Sequence, residues 1–278
     1  MGWNYPKIME YLKKAGIENA AQEARWLLEA FEGEEAALPQ NGTDREYEDP
    51  KLDHAVIQRG KHYPLQYLLG EWPFYNQKYE LSPDCLIPRQ DTERLVEQAI
   101  KILPENGTVL DLCTGSGCIA VSLLAERPDA KGVAVDKFPK VLELAERNAR
   151  KNGVLERLEW IQSDILEAPV PEEIRNRTFD MLLSNPPYIR TDIVRNGLPA
   201  EVSYEPKEAL DGGEDGLLFY RAILEKYYPL VKENGWVLFE IGYDQGEALL
   251  KMGEQIHCAV SILKDYGGND RVAVIQKP

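Results

Sequence analysis

Cysteine, histidine and long apolar runs are scarce in this chain. Its 278 residues include four cysteines and three histidines. The cysteines form no CxxC pair and the histidines are scattered, so the sequence predicts neither a zinc site nor a disulfide framework. No stretch approaches the ~18 apolar residues of a membrane-spanning helix. We therefore expect a soluble, unexported protein of the reducing cytoplasm that holds no metal and does not associate with a membrane.

Basic residues are also in short supply. Lys and Arg total 32 against 47 Asp and Glu, which gives a formal net charge of −15 and a sequence pI near 4.8. Domains that bind nucleic acid usually carry a basic face and a high pI. The composition therefore disfavours direct binding of nucleic acid, and a protein partner fits it better than a phosphate backbone.

The hydrophobic pattern divides the chain into three parts. Residues 1–70 carry helical periods and are predicted to form a small α-helical domain, interrupted by an acidic loop at Glu32–Asp49. Asp49 before Pro50 is typical of a helix start. The aromatic-rich stretch Pro64–Pro83 is broken by glycine and proline, which indicates a short strand pair or an extended linker, and we expect a hairpin linker at 71–84. Residues 85–278 form the third part.

Strands and helices alternate in that third part. The predicted helices are Thr92–Leu103, Cys118–Glu126, Pro139–Asn152, Leu217–Val231 and Gln245–Gln255. The predicted strands are Thr108–Leu112, Gly132–Asp136, Leu158–Gln162, Phe179–Ser184, Trp236–Ile241, Ala259–Leu263 and Val272–Gln276. This alternation predicts an α/β fold with a mostly parallel sheet covered on both faces. Ligands of such folds bind beyond the carboxyl ends of the strands, where the strand order reverses.

Two motifs lie at predicted strand ends. In the segment VLDLCTGSGCIA, Gly115 and Gly117 permit a tight turn before a helix and let the backbone approach a ligand. Asp136 ends the next strand, 19 residues after Gly117, where a carboxylate can accept hydrogen bonds from both ribose hydroxyls of a nucleoside cofactor. These motifs alone do not distinguish NAD from S-adenosylmethionine.

The third motif, Asn185-Pro186-Pro187-Tyr188, follows the strand FDMLLS. Its two prolines hold the backbone extended and remove two N–H donors. The carbonyl groups of Asn185 and Pro186, and the Asn185 amide, are therefore free to meet a ligand. Tyr188 offers a flat face for stacking. This motif therefore indicates a ligand site rather than a plain turn.

Taken together, these segments resemble the protein-(glutamine-N5) methyltransferases that modify peptide chain release factors. DLCTGSG, Asp136 and NPPY follow the general pattern of methyltransferases that act on conjugated nitrogen. LIPRQDTERLV, YEPKEALDGGEDGLLFY, FEIGYDQG and GGNDRV are similar to segments of the release factor enzymes, and so is the helical front with PLQYLLGEWPFY. The resemblance covers essentially the whole chain. Cys113 stands where glycine is common in the family, and Ile165 where an aromatic residue is frequent.

The resemblance implies a Rossmann-like class I methyltransferase domain with a seven-stranded, mostly parallel sheet. Its cofactor would be S-adenosylmethionine, leaving as S-adenosylhomocysteine, and its substrate the glutamine of the GGQ motif in class 1 release factors. The helical front would dock the release factor. The implied cofactor-binding residues are Cys113, Thr114, Gly115, Ser116, Gly117, Asp136, Asp164, Ile165 and Asn185. The implied catalytic residues are Asn185, Pro186 and Tyr188, and the substrate-binding residues are these with Pro187, Arg89, Thr92 and Glu93.

Other functions stay open at this point. An enzyme that methylates a ribosomal-protein glutamine would share most of these motifs. An adenine-N6 nucleic-acid methyltransferase would share NPPY but would need a basic groove. A dinucleotide-dependent oxidoreductase or a non-catalytic sensor of S-adenosylmethionine would leave NPPY unexplained. Glu240, at the end of another predicted strand, is interpreted as a solvated carboxylate.

Overall fold

The computed structural model describes residues 2–37 and 45–278. The chain forms two compact units: Met1–Glu71 with Pro199–Tyr204, and Trp72–Leu198 with Glu205–Pro278. This division differs from the predicted boundaries in two places. The hairpin belongs almost wholly to the second unit, and a short segment from the third predicted part belongs to the first unit. Of the helices in the described ranges, none combines the length and apolar character needed to cross a bilayer.

The first unit is helical, as its sequence predicts. Its helices are α1 (Tyr5–Lys14), α2 (Ala20–Glu32), α3 (Glu34–Ala37), α4 (Pro50–Arg59) and α5 (Leu65–Leu69). Helix α4 starts at the predicted cap, because the Asp49 side chain accepts a hydrogen bond from the Lys51 amide at 2.7 Å. Leucines, isoleucine and alanines from α1, α2 and α4 form the apolar core. Helix α3 lies inside the segment predicted as a loop, and residues 38–44 of that segment are outside the described residues.

Helix α5 corrects the prediction of strand or linker for its residues. Gly70, with φ +75°, ends the helix and donates its N–H to the Gln66 carbonyl at 3.0 Å. Five residues are too few for a helical period to be visible in a sequence. The predicted strand pair follows as β1 (Glu71–Phe74) and β2 (Gln77–Glu80). Phe74 and Tyr79 pack edge to face in the core of the second unit.

The second unit alternates helices and strands. Its helices are α6 (Glu93–Ile102), α7 (Cys118–Glu126), α8 (Pro139–Lys151), α9 (Thr191–Asn196), α10 (Leu218–Lys226) and α11 (Gly246–Gln255). Its strands are β3 (Thr108–Leu112), β4 (Lys131–Asp136), β5 (Leu158–Gln162), β6 (Phe179–Ser184), β7 (Val231–Glu240), β8 (Ala259–Lys264) and β9 (Asp270–Gln276). Two apolar clusters, on opposite faces of the sheet, form its core.

These seven strands form one sheet in the order β5-β4-β3-β6-β7-β9-β8. Strands β3 to β7 are parallel, and β9 is antiparallel to both of its neighbours. The prediction of a Rossmann-like, mostly parallel seven-stranded sheet is confirmed. The order reverses between β3 and β6, where Leu112 pairs with Val135 on one side and Ser184 on the other. The strands that end in all three motifs are therefore neighbours.

The connection between α10 and β7 differs from the sequence prediction. The helix predicted to reach Val231 ends at Lys226, and a 3₁₀ turn at Tyr228–Leu230 follows. Pro229 explains the difference, because proline cannot continue the hydrogen-bond ladder of an α-helix. Strand β7 consequently begins at Val231 rather than at Trp236.

Candidate active site

A cavity of about 500 Å³ opens at the carboxyl ends of β3, β4 and β6, within the second unit. This is the place where an open α/β sheet binds its ligand. Its walls come from the glycine turn, from the residues after β4 and β6, from the segment before α6 and from the segment before α10. The cavity lining includes Thr92, Cys113, Thr114, Gly115, Ser116, Asp136, Asp164, Ile165, Asn185 and Pro187 among the predicted site residues.

The glycine turn after β3 has a left-handed backbone at three positions. Cys113, Gly115 and Gly117 have φ values of +58°, +57° and +79°. A side chain is strained in this region, so Cys113 occupies a backbone conformation that favours glycine. Gly117 does not line the cavity. It allows the start of α7 to pack closely against α8, because a Cβ at Gly117 would lie 3.2 Å from the Cβ of Ala145.

Asp136 holds the glycine turn as well as facing the cavity. Its carboxylate accepts hydrogen bonds from the Gly115 amide at 3.0 Å and the Phe138 amide at 3.1 Å. Burial raises the pKa of Asp136, although these amide donors oppose the rise. Each carboxylate oxygen keeps a lone pair for a further donor, so the side chain can also accept from ligand hydroxyls.

Asp164 and Ile165 form a further wall. Burial raises the pKa of Asp164, but the ion pair with Lys137 at 2.9 Å and two backbone amides more than offset it, so the pKa lies below its ordinary value. Ile165 is buried against the same wall. A carboxylate beside an apolar surface suits a flat heterocycle that carries an amino group.

Asn185 reaches the cavity from the end of β6. Its Nδ2 donates a long hydrogen bond, 3.4 Å, to the hydroxyl oxygen of Thr92, which is buried and also lines the cavity. The two predicted residues Asn185 and Thr92 are therefore brought together, although 93 positions separate them in the chain.

The backbone that follows Asn185 is fixed by the segment before α10. The Ile189 amide donates to the Leu210 carbonyl at 2.9 Å, and the Gly212 amide donates to the Ile189 carbonyl at 2.8 Å. Gln245 donates to the Tyr188 carbonyl at 3.1 Å. Gly212 lies so close that a Cβ would stand 2.7 Å from the Tyr188 Cα. The backbone of the NPPY turn is thus held by hydrogen bonds and by close packing.

Several predicted site residues lie away from the cavity wall. Tyr188 packs into the core of the second unit, and its hydroxyl donates to Glu240 at 3.2 Å. Pro186 is buried, and Pro187 rather than Pro186 lines the cavity. Arg89 pairs with Glu205. Glu93 accepts a hydrogen bond from the Tyr75 amide in the hairpin turn at 2.8 Å.

The sequence interpretation missed two buried carboxylates beside the site. Glu205 is 4% exposed, pairs with Arg89 and accepts from the Ile87 amide at 3.0 Å, which anchors the segment before α6. Glu240 is 1% exposed and is not the solvated carboxylate expected at that strand end. The apolar run before Glu240 was the available signal, since a buried parallel strand often presents its last residue to the ligand edge.

Charge distinguishes the ligands that this cavity can hold. Among the described residues, five carboxylate side chains and two cationic side chains line it. The carboxylates are those of Asp84, Asp136, Asp164, Glu208 and Asp211, and the cations are Lys137 and Arg195. Such a lining favours a cationic or neutral ligand over one with a pyrophosphate, which would need donors and positive charge in place of carboxylates.

Comparison with known proteins gives the family of the chain. Residues 91–219 match the family model Methyltransferase small domain, and residues 7–70 match PrmC N-terminal domain. The Release factor glutamine methyltransferase of Geobacter sulfurreducens is 36% identical, and the match covers 97% of this chain and 95% of that protein. The chain belongs to the release factor glutamine methyltransferase family. The family member from Cereibacter sphaeroides is 40% identical, over 96% of this chain and 95% of its own.

Solved structures agree with this family in fold. A methyltransferase from Pyrococcus furiosus superposes with a TM-score of 0.53 at 18% identity, covering 73% of this chain and 89% of its own. This chain thus has a methyltransferase fold. Its cavity lies where the strand order reverses, and Asn185 of the NPPY motif lines it.

Proposed function

We propose that the chain transfers a methyl group from S-adenosylmethionine to the side-chain amide nitrogen of the glutamine in the GGQ motif of class 1 release factors. The observation that carries the proposal is the Asn185 side chain on the wall of an acidic cavity, in a chain that is 36–42% identical to proteins named release factor glutamine methyltransferase over most of its length. The acidic lining argues against the dinucleotide alternative.

The residues of the cavity fit S-adenosylmethionine. The volume of about 500 Å³ lies in the range of sites for nucleoside-sized ligands. Asp136 would accept from the ribose hydroxyls, and Asp164 with Ile165 would contact the adenine. The backbone of Thr114 to Ser116 would line the methionine part. This sulfonium compound supplies an electrophilic methyl group, and the carboxylates around it suit its positive charge.

Asn185 would orient the substrate amide. The lone pair of an amide nitrogen is delocalised into its carbonyl, so the nitrogen must be held facing the methyl donor. The Asn185 Oδ1 can accept one amide N–H and stabilise the positive charge that develops on the nitrogen. A methylated amide that still carries its extra proton is strongly acidic, so the chain needs no strong base at this position. The Pro186 carbonyl is the predicted acceptor of the second amide hydrogen, and this role stays a prediction because Pro186 is not part of the cavity lining.

The first unit would dock the release factor. It matches a family-specific model of its own across residues 7–70. Docking by a separate unit would let a single loop of a large protein reach the cavity. Class 1 release factors are accordingly the proposed partner.

The proposal is tested by a methyl-transfer assay with radiolabelled S-adenosylmethionine. Release factor, ribosomal protein and DNA are offered side by side to the full chain. Label on the GGQ glutamine of the release factor is the expected result. Preferential labelling of the ribosomal protein or DNA would contradict the proposal.

Asn185→Ala separates transfer from cofactor binding. We expect kcat to fall by at least about a hundredfold while the Kd of S-adenosylmethionine changes only a few-fold, because the lost contact acts mainly in the transition state. Asp136→Ala should instead weaken cofactor binding first. Normal turnover by the Asn185 variant would remove that residue from the mechanism.

A further inference from the structure

A single turn of the chain, residues 164–168, follows β5 and forms part of the cavity wall. The Ala168 amide donates to the Asp164 carbonyl at 2.9 Å. The Asp164 Oδ1 accepts from the Leu166 amide at 2.9 Å and from the Glu167 amide at 3.3 Å, as a capping side chain does at the start of a helix. The amides of this turn are therefore satisfied from within the turn.

The carbonyl groups of the same turn are held from outside it, by Lys226. The Lys226 Nζ donates to the carbonyls of Ile165 at 2.9 Å, Leu166 at 2.7 Å and Ala168 at 3.1 Å. An ammonium group has three N–H donors, so this side chain directs all of them at one turn. A single turn has no following turn whose amides could pair with these carbonyls. Lys226 thus supplies the donors that a longer helix would provide.

Lys226 is the last residue of α10, a helix that also reaches the cavity. Leu218 and Phe219, at the start of α10, line the cavity. Ile165 lines it from the turn and belongs to the same apolar cluster as Leu224 of α10. All of these residues lie in the second unit. The turn is therefore joined to α10 by its backbone and shares an apolar cluster with that helix.

We propose that Lys226 is a positioning residue for the nucleoside part of the cofactor, because it fixes the turn whose Asp164 and Ile165 face the adenine. This inference rests on the proposed function, in which these two residues contact the adenine, and it adds how their positions are set. Lys226 lies outside the described cavity lining and acts through the turn.

Loss of the ammonium group would leave three carbonyls of the turn without their donor. Because an unpaired carbonyl is costly where water is restricted, the turn would shift toward water and populate other conformations. Adenine would then have to order the turn on binding, which lowers its affinity. A lysine that only stabilised the fold would leave the affinity for adenosine unchanged, so affinity separates the two roles.

The test uses Lys226→Met in the full chain, since methionine is similar in length but has no donor. Calorimetric titration measures the Kd values of S-adenosylmethionine and adenosine. Amide hydrogen exchange of the ligand-free protein reports on the turn, and thermal unfolding checks the fold. Lys277→Met is the matched control, because the Lys277 Nζ donates to the Val231 carbonyl at 2.7 Å at the start of β7, whereas the cavity opens at carboxyl ends of strands.

We expect Lys226→Met to raise both Kd values by the same factor, about five- to fiftyfold, because both ligands contain adenine and ribose. The amides of Leu166 and Glu167 should exchange faster in the ligand-free variant. The kcat at saturating S-adenosylmethionine should stay within about threefold of wild type, since Asn185 is not displaced. Lys277→Met should leave both Kd values within about twofold of wild type.

An unchanged Kd for adenosine in Lys226→Met would overturn the inference, and so would an equal loss of affinity in Lys277→Met. If Lys226→Met does not fold, Lys226→Gln, which keeps an amide donor, takes its place with the same expected and contradicting results. A wild-type protein that binds no S-adenosylmethionine would defeat the proposed function. A wild type that binds it, with a Lys226 variant that binds it equally well, would defeat only this inference.

Discussion

Asp111, Asp136 and Glu240 are carboxylates buried near the carboxyl ends of three parallel strands of the sheet. Burial raises the pKa of each. Asp111 and Asp136 each hold part of the glycine turn that lines the cavity, whereas Glu240 is not part of the cavity lining. Asp111 accepts from the Thr114 hydroxyl at 2.6 Å, Asp136 from the Gly115 amide, and Glu240 from Tyr188. Burial of Asp111 and Asp136 thus lowers the stability of the protein while their hydrogen bonds hold the glycine turn in place.

The cost of burying Asp111 can be measured from the pH dependence of the free energy of unfolding. Burial raises its pKa from an ordinary value of 3.8 to about 7, opposed by the Thr114 hydroxyl. Between these values the folded protein holds a proton that the unfolded chain releases, so this group lowers stability as pH rises from about 4 to about 7. Asp111→Asn removes the titration. Its free energy of unfolding relative to wild type should therefore increase across that window, by up to about 4 kcal/mol.

Urea unfolding of both proteins from about pH 4.5 to about pH 8 measures the difference. The absolute stability of the variant is not decisive, since asparagine also alters the bond to Thr114. Two stability curves that stay parallel over this range would show that Asp111 does not titrate as its burial requires.

At the scale of elements, the segment between α9 and α10 holds the NPPY turn in place through backbone hydrogen bonds. Its residues Leu210 to Gly216 bond to the backbone of Tyr188 and Ile189, directly or through Gln245. The glycines are needed because the two backbones almost touch. A Cβ at Gly212 would stand 2.7 Å from the Tyr188 Cα and 2.8 Å from the Pro187 oxygen.

Gly212→Ala should therefore push the NPPY turn out of place. We expect kcat to fall by about tenfold or more and the protein to lose about 1–3 kcal/mol of stability, since neither backbone can move freely. Gly197→Ala is the matched control, because its Cβ would make only an ordinary contact of 3.4 Å with the Ile193 carbonyl. Equal kcat values in the two variants would contradict the role of this segment in holding the NPPY turn.

At the scale of the whole molecule, the first unit includes Pro199–Tyr204, a segment remote from it in sequence. Glu201 in this segment accepts from the Arg59 Nη2 at 2.7 Å, and the Tyr204 ring packs edge to face with Tyr63. Arg59 is buried and also pairs with Glu23, whose Oε1 lies 3.0 Å from Nη2. The buried Arg59 guanidinium thus binds both α2 and the segment Pro199–Tyr204.

The two carboxylates should differ in their contribution to stability. Arg59→Ala leaves Glu23 buried without its partner and should cost about 3–5 kcal/mol. Glu201→Ala leaves the Arg59–Glu23 pair intact, and because the Glu201 side chain is 43% exposed the expected cost is about 1 kcal/mol or less. Chemical unfolding of both variants checks the order. Similar losses of stability in the two variants would mean that the Arg59–Glu201 ion pair accounts for most of the stabilisation by Arg59.

Much of the second unit could be predicted because its local signals agree with its fold. Strands β3, β5 and β6 and helix α7 have the bounds that their apolar runs and turn residues indicate. The errors lie where a short element or a proline decides the backbone, at α5 and at Pro229. The placement of Pro199–Tyr204 had no local signal, because an ion pair between distant residues leaves no periodic pattern.

The sequence by itself determined the alternation of elements, the positions of the three motifs at strand ends and the acidic charge, because these follow from local periodicity and composition. Only the tertiary structure decided which polar residues meet. It buries Glu240, which accepts a hydrogen bond from Tyr188, and it brings Thr92 to Asn185. The physical reason is that hydrogen-bond direction and desolvation depend on neighbours brought together across the sheet, whereas propensity and periodicity depend on neighbours along the chain.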